Sequence, residues 1–322
     1  MNKLFSILLL TVILILGGCE HKELCYDHRH NVELEVVFDW SKSPGGSPYL
    51  MDLYLLPEGG GRTEHYQFGR NRNSEITGGK ISVPIGRYRA ICLNSDSETN
   101  MLRGTDSWES FEVYTITGSL LSTLSASGVR ADEPPRAEGT DDERVAYAPD
   151  GLLVGIEQNL QLTVPGNSYR VTFTPENALC NYTVRVVNVT NLKYTQGVSG
   201  TLSSMAGGLL AGNGELTDER VIMSFNGKSD WEVSTITGTF HVFGHCPAVP
   251  NPHWLTIYAV LSDGRKIYKS YDVTDQVHNA PDPRNVEILI DGLELPKPIT
   301  NGSGFQPGVD NWQDGEDIEI EL

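Results

Sequence analysis

From Val32 to Trp40 every even position is apolar (Val32, Leu34, Val36, Phe38, Trp40), and three of the four residues between them are acidic (Glu33, Glu35, Asp39). A period of two puts one set of side chains on a buried face and the other in water, which predicts a half-buried β-strand. Comparable runs follow at residues 49–56, 80–83 and 87–93. After residue 150 they resume at 152–156, 159–164, 169–174, 182–189, 220–225, 231–243, 254–261, 265–271 and 286–290. Clusters such as Ser43-Pro44-Gly45-Gly46 and Glu58-Gly59-Gly60-Gly61 supply the turns between them. No helical period is sustained, so the pattern predicts an all-β chain of antiparallel Greek-key β-sandwich type.

The composition changes between residues 125 and 150. The stretch from Arg130 to Glu143 is acidic, carries Pro134 and Pro135, and has almost nothing to bury, which predicts a linker. On either side of it Glu112-Val113-Tyr114-Thr115-Ile116-Thr117-Gly118 recurs as Glu232-Val233-Ser234-Thr235-Ile236-Thr237-Gly238. The echo predicts two tandem sandwich domains holding one equivalent strand each. The expected boundaries are a sandwich over 31–124, a linker over 125–150, a second sandwich over 151–295, and an acidic tail or last strand over 296–322.

The N-terminus carries a different signal. Lys3 precedes a thirteen-residue apolar run, Leu4 to Leu16, interrupted only by Ser6 and Thr11. That is the length of a secretory apolar region and too short for a bilayer crossing. The ending Leu16-Gly17-Gly18-Cys19 resembles the lipobox of bacterial lipoproteins. The resemblance implies a signal peptide over 1–18, cleavage before Cys19, acylation of Cys19, and a tether over 19–30.

The net charge is −18, and residues 1–18 hold one lysine and no acid, so the processed chain would carry −19. So acidic a chain lacks the positive face that nucleic acid requires as a partner. The cysteines after Cys19 are Cys25, Cys92, Cys180 and Cys246. They are too sparse for a disulfide scaffold and form no CxxC pair. Cys92 and Cys180 lie in apolar runs, where a buried free thiol is expected.

Candidate chemistry is thin. Nucleophile-elbow, HExxH, Walker A and GxGxxG motifs are absent, and Gly197-Val198-Ser199-Gly200 reads as a turn. His241 and His245 have the i,i+4 spacing that suits a metal on a helix, but on a strand this spacing sets them about 13 Å apart. His21, His28 and His30 read as part of the polar tether. Asp310, Asp314, Glu316 and Asp317 do not match a calcium-loop spacing. Trp40, Trp108, Trp231, Trp254 and Trp312 are the candidates for stacking on sugar, with Trp40 and Trp254 better suited to core packing. The reading is therefore non-enzymatic, with no cofactor or metal site, and Cys19 is its one site residue.

Several segments together resemble the fimbrillin-associated lipoproteins of Bacteroidetes, in a branch allied to fimbrial anchor subunits. They are Cys19-Glu20-His21-Lys22-Glu23-Leu24-Cys25-Tyr26, Phe38-Asp39-Trp40, Val83-Pro84-Ile85-Gly86-Arg87-Tyr88 leading to Asn94, Ala148-Pro149-Asp150-Gly151, and Tyr271-Asp272-Val273-Thr274-Asp275-Gln276-Val277. The resemblance implies two transthyretin-like β-sandwiches. It also implies a lipid-anchored outer-membrane protein, exposed at the cell surface, that tethers or terminates a fimbrium or acts as an adhesin. The partners would be the membrane, through the acyl chains on Cys19, and fimbrillin-like subunits. The alternative is a surface glycan-binding lipoprotein.

Overall fold

The computed structural model describes residues 31–46, 48–70, 74–120, 134–248, 252–299 and 312–314. Within these residues twenty-two strands form five sheets. The first sheet has the order β10-β1-β4, from β1 (Asn31–Phe38), β4 (Gly78–Pro84) and β10 (Ser168–Phe173). The second runs β11-β9-β5-β2-β3, from β2 (Leu50–Pro57), β3 (Glu64–Gly69), β5 (Gly86–Asn94), β9 (Leu153–Leu162) and β11 (Glu176–Asn177). These two sheets share one core.

In β1, Val32, Leu34, Val36 and Phe38 point inward, as the alternation requires, onto Met51, Leu53, Leu55, Cys92 and Phe173. Outward, Glu33 pairs with Lys80 at 2.8 Å and Glu35 with Arg170 at 3.8 Å, with all four side chains largely exposed. Each buried side chain contributes about 1.5–3 kcal/mol and each such exposed pair about 0–1 kcal/mol. The inward row therefore sets the register.

The third sheet, β15-β14-β7-β6, joins β6 (Asn100–Arg103) and β7 (Glu112–Thr115) to β14 (Gly208–Leu210) and β15 (Glu215–Leu216). The fourth, β22-β20-β19-β13-β16-β8, contains β8 (Arg144–Tyr147), β13 (Thr195–Ala206), β16 (Arg220–Asn226), β19 (Trp254–Leu261), β20 (Lys266–Asp272) and β22 (Trp312–Asp314). The fifth, β17-β18-β12-β21, contains β12 (Cys180–Thr190), β17 (Lys228–Asp230), β18 (Thr235–Val242) and β21 (Asn285–Glu294). A short helix, α1 (Thr274–His278), precedes β21. The fourth and fifth sheets close a second core around Tyr182, Val184, Val186, Leu202, Phe225, Ile257 and Ile288.

The two sandwiches repeat one topology. The order β10-β1-β4 corresponds to β21-β12-β18, and β9-β5-β2-β3 corresponds to β20-β19-β13-β16. In each copy the first strand pairs with its last strand in parallel, β1 with β10 and β12 with β21. The remaining shared pairs are antiparallel. Tandem β-sandwiches are thus present, although the first, fourth and fifth sheets each contain a parallel pair.

The chain partition differs from the expected one. β9 and β10 lie beyond residue 150, yet they pair with β5 and β1 of the first sandwich. β8, inside the expected linker, pairs in parallel with β16 of the second. The described part of that linker is packed rather than free: Glu143 is buried, and Tyr258 donates its hydroxyl to the Pro135 carbonyl at 2.8 Å. A strand's local pattern states that it has a buried face, not which sheet buries it.

The seven-residue echo is not the structural repeat. Its first copy forms β7, where Glu112 and Val113 are buried. In the second copy Val233 is 65% exposed in a turn, and the strand starts only at Thr235. The topological counterpart of β18 is β4, not β7. Nor is the Gly197–Gly200 segment a turn; it lies in β13 at the centre of the fourth sheet. A Cβ on Gly200 would sit 2.3 Å from the Phe225 ring, so the glycine makes room for that ring.

Candidate assembly surfaces

Cys19, the 19–30 tether with His21, His28 and His30, and Cys25 lie outside the described residues. The described structure begins at Asn31, just after those residues. Asn31 opens β1 opposite Pro84, at the start of the β4–β5 turn. The other end of β5 carries Ile91 and Leu93 into a cluster with Phe111, Val113, Leu209 and Phe243, which joins the first sandwich to the third sheet. Asn31 therefore sits beside the β4–β5 turn, whereas Ile91 and Leu93 reach the junction from further along β5. In the second sandwich the start of β12 faces the junction, with the Cys180 thiol on the Phe243 carbonyl. The Trp231 turn sits beside Val189 near the opposite end of β12, where Val189 donates its backbone N–H to the Ser234 carbonyl.

Sheet edges are the surfaces through which such domains can add a strand. Three edge strands here, β21, β8 and β4, carry guards. Along β21 the Gln276 side chain imitates a neighbouring strand: its Nε2 donates to the Leu289 carbonyl at 3.1 Å, and its Oε1 accepts the Leu289 N–H at 2.8 Å. Tyr271 donates its hydroxyl to the Gly292 carbonyl further along the same edge. The outer side of β8 is covered by residues 116–118, through Gly118 N–H to the Val145 carbonyl and Tyr147 N–H to the Ile116 carbonyl. On β4, Tyr66 donates to the Ser82 carbonyl. β10 holds the position in the first sandwich that β21 holds in the second. Among the described residues, no side chain makes a comparable pair of bonds to β10.

The aromatic candidates do not gather. Trp40 is half-buried against the first core and donates its indole N–H to the Ile76 carbonyl at 2.8 Å. Trp108 packs at the junction beneath the Arg89 guanidinium. Trp254 lies half-buried in β19. Trp231 is 63% exposed. For Trp312 and Asp314 the structure gives only a strand position in β22, and Asp310, Glu316 and Asp317 lie outside the described residues.

Cys92, Cys180 and Cys246 are all free thiols. Cys92 is fully buried, and its burial pushes the thiol far up. A cleft between the sandwiches is lined by Val154, Cys180, Leu209, Leu216, Phe243 and His245. Burial raises the Cys180 thiol there, and burial followed by the nearby His278 lowers the His245 imidazole. Burial thus shifts the Cys180 thiol away from the thiolate that an activated cysteine requires.

His241 and His245, paired by spacing in the sequence, go separate ways. His241 lies within β18 opposite Asn181. The ring of His245 lies 5.9 Å from that of His253 and 5.1 Å from that of His278, and the latter two are 4.9 Å apart. His253 is buried and its Nδ1 lies 2.9 Å from the Ser203 carbonyl, which can only accept; Nδ1 therefore carries the proton and Nε2 a bare lone pair. That Nε2 lies 3.0 Å from Nε2 of His278. Burial chiefly, aided by the two neighbouring imidazoles and opposed by the Ser203 bond, pushes His253 down to about 4. No sequence spacing links these three residues. They follow β18, precede β19 and end α1, and only the closing of the second sandwich brings them together.

A family model described as Domain of unknown function (DUF5119) matches residues 18–226. The chain belongs to the DUF5119 family. This DUF5119 chain is also 24% identical over 209 residues to a Bacteroides ovatus protein provisionally named fimbrium anchoring subunit Fim4B. That match takes in 65% of this chain and 56% of the relative, little more than half its length. Among solved structures, a provisionally assigned adhesin from Bacteroides ovatus superposes with a TM-score of 0.63 at 21% identity, covering 88% of this chain and 99% of that one. The fimbrial anchor protein Mfa2 from Porphyromonas gingivalis gives a TM-score of 0.46 at 11% identity, over 81% of this chain and 90% of that one. The DUF5119 chain thus shares the β-sandwich fold of the adhesin.

Proposed function

We propose that this protein is a non-enzymatic lipoprotein of the outer membrane, exposed at the cell surface, that anchors or assembles a fimbria-like filament. The observation that carries the reading is the 209-residue similarity to a relative named for fimbrium anchoring. The family match begins at Gly18, one residue before Cys19, which supports Cys19 as the acylated first residue of the working protein. No helix among the described residues is long and apolar enough to cross a membrane. An acyl anchor on Cys19 would supply the attachment, and a second lipid chain would make it durable. The filament subunit would join by main-chain pairing at a sheet edge, and the outer side of β10, which no side chain guards among the described residues, is the candidate edge in the first sandwich.

Two experiments test this. Cys19→Ser should move the protein from the membrane fraction to the soluble fraction; full retention with membranes would remove the anchor assignment. Deleting the gene should release surface filaments into the medium or abolish them. Filaments that stay attached and unchanged in length, under conditions where the protein is normally expressed, would overturn the fimbrial role.

A further inference from the structure

The histidine cluster at the junction-facing end of the second sandwich has the dimensions of a metal site. A zinc–imidazole bond of about 2.0–2.1 Å and a tetrahedral angle put two ligating nitrogens about 3.3 Å apart and their ring centres about 5.2 Å apart. Nε2 of His253 and Nε2 of His278 are 3.0 Å apart. The three ring-centre separations, 4.9, 5.1 and 5.9 Å, bracket the expected figure. We propose that His253 and His278, completed by His245, bind one divalent transition cation of the zinc type.

The surroundings suit that role. The Ser203 carbonyl holds the Nδ1 proton of His253, leaving the lone pair of Nε2 aimed into the cluster; such an outer bond is the usual support of a ligating histidine. In the metal-free chain the contact between the two Nε2 atoms is an N–H···N hydrogen bond donated by His278. On binding, His278 carries its proton on Nδ1 instead, and its Nε2 takes the metal. Among the described residues no group of three or more His, Cys, Asp or Glu side chains is placed to hold a metal ion as the side chains stand, so the third ligand requires a rearrangement. Turning the His245 ring about its Cβ–Cγ bond exchanges its nitrogens and carbons while leaving the ring in place, and water fills the fourth position. His278 is exposed at the end of α1 and lines a solvent-facing hollow with Pro252, Asp272 and Thr274, so a cation can reach the cluster past a carboxylate. Bound there, the metal would staple the segment between β18 and β19 to α1, two stretches far apart in the chain.

The test uses the full-length protein in detergent, titrated with Zn²⁺ alone by calorimetry and with Co²⁺ followed by its visible absorption. One Zn²⁺ per chain and the absorption of tetrahedral Co²⁺ are expected. His278→Ala removes both a ligand and the hydrogen bond to the buried His253 Nε2. It should lower the metal-free melting temperature by a few degrees at most while the chain still folds, and weaken binding about tenfold or more. The double variant His28→Ala, His30→Ala should bind like the parent. Absence of uptake by the parent, equal binding by His278→Ala, or loss of binding in the tether variant would each overturn the proposal.

Discussion

The carboxylate of Glu143 accepts the backbone N–H of Ser204 at 2.8 Å and its hydroxyl at 3.1 Å. Ser204 sits at φ 59° where the β13–β16 register slips between Leu202 and Met205. A residue from the expected linker therefore satisfies a donor that a β-bulge leaves unpaired in the middle of the second sandwich. The same bulge presents the Ser203 carbonyl to His253 and the Ser203 hydroxyl to the Trp254 N–H.

Removing that cap strands a buried donor. Glu143→Ala should lower stability by about 1–3 kcal/mol in urea denaturation. Glu143→Gln retains an acceptor for the Ser204 N–H and should lose less. Equal stability of the alanine variant and the parent would show that the bulge does not need Glu143.

Glu143 and Asp150 should respond to acid in opposite directions. Burial raises the Glu143 carboxyl, against the lowering by its Ser204 bonds. The folded chain then holds this proton to higher pH than the unfolded chain, so its contribution to stability falls as pH rises from the ordinary carboxylate range through the raised value. Burial would also raise Asp150, but bonds from Ser97, the Glu98 N–H and Thr99 outweigh it and lower the carboxyl. Its contribution is present above the unfolded value and is lost as pH falls through the lowered one. Stability measured from pH 3 to 7 should show a weaker acid-side loss in Asp150→Asn and a steeper one in Glu143→Gln.

A Cβ on Gly200 or on Gly238 would meet the Phe225 ring at 2.3 or 2.5 Å, and that ring stacks on Phe240 with centroids 4.5 Å apart. Gly200→Ala should cost about 1–3 kcal/mol, because the ring must leave its stack to admit a methyl group. Thermal unfolding of the purified variant measures this. An unchanged midpoint would mean that the stack yields freely.

Gln276 is predicted to act as an edge guard. Gln276→Ala exposes the Leu289 N–H and carbonyl on β21, beside a Leu289 side chain that is already 48% exposed. Light scattering should then report concentration-dependent self-association that the parent lacks. A variant that stays monomeric at the same concentrations would show that α1 or Tyr271 guards the edge unaided.

The sequence by itself determined the class of structure and carries the signal on which the proposed anchor rests. The alternation from Val32 to Trp40 recurs in the observed inward row of β1, and most apolar runs became strands within a residue or two of their expected limits. Such patterns are local: a period of two and a turn cluster act over a few residues. The Leu16-Gly17-Gly18-Cys19 signal is local as well, and stands as the basis of the proposed anchor.

Only the tertiary structure decided which strands share a sheet. Leu153–Phe173 completes the first sandwich, Arg144–Tyr147 edges the second, and the repeated topology is invisible in a seven-residue echo that pairs the wrong strands. The meeting of His245, His253 and His278, and the burial of Glu143 under a bulge, belong to the same class. Each depends on contacts between residues far apart in the chain, set by which buried faces close on one another, and no short stretch of residues carries that information.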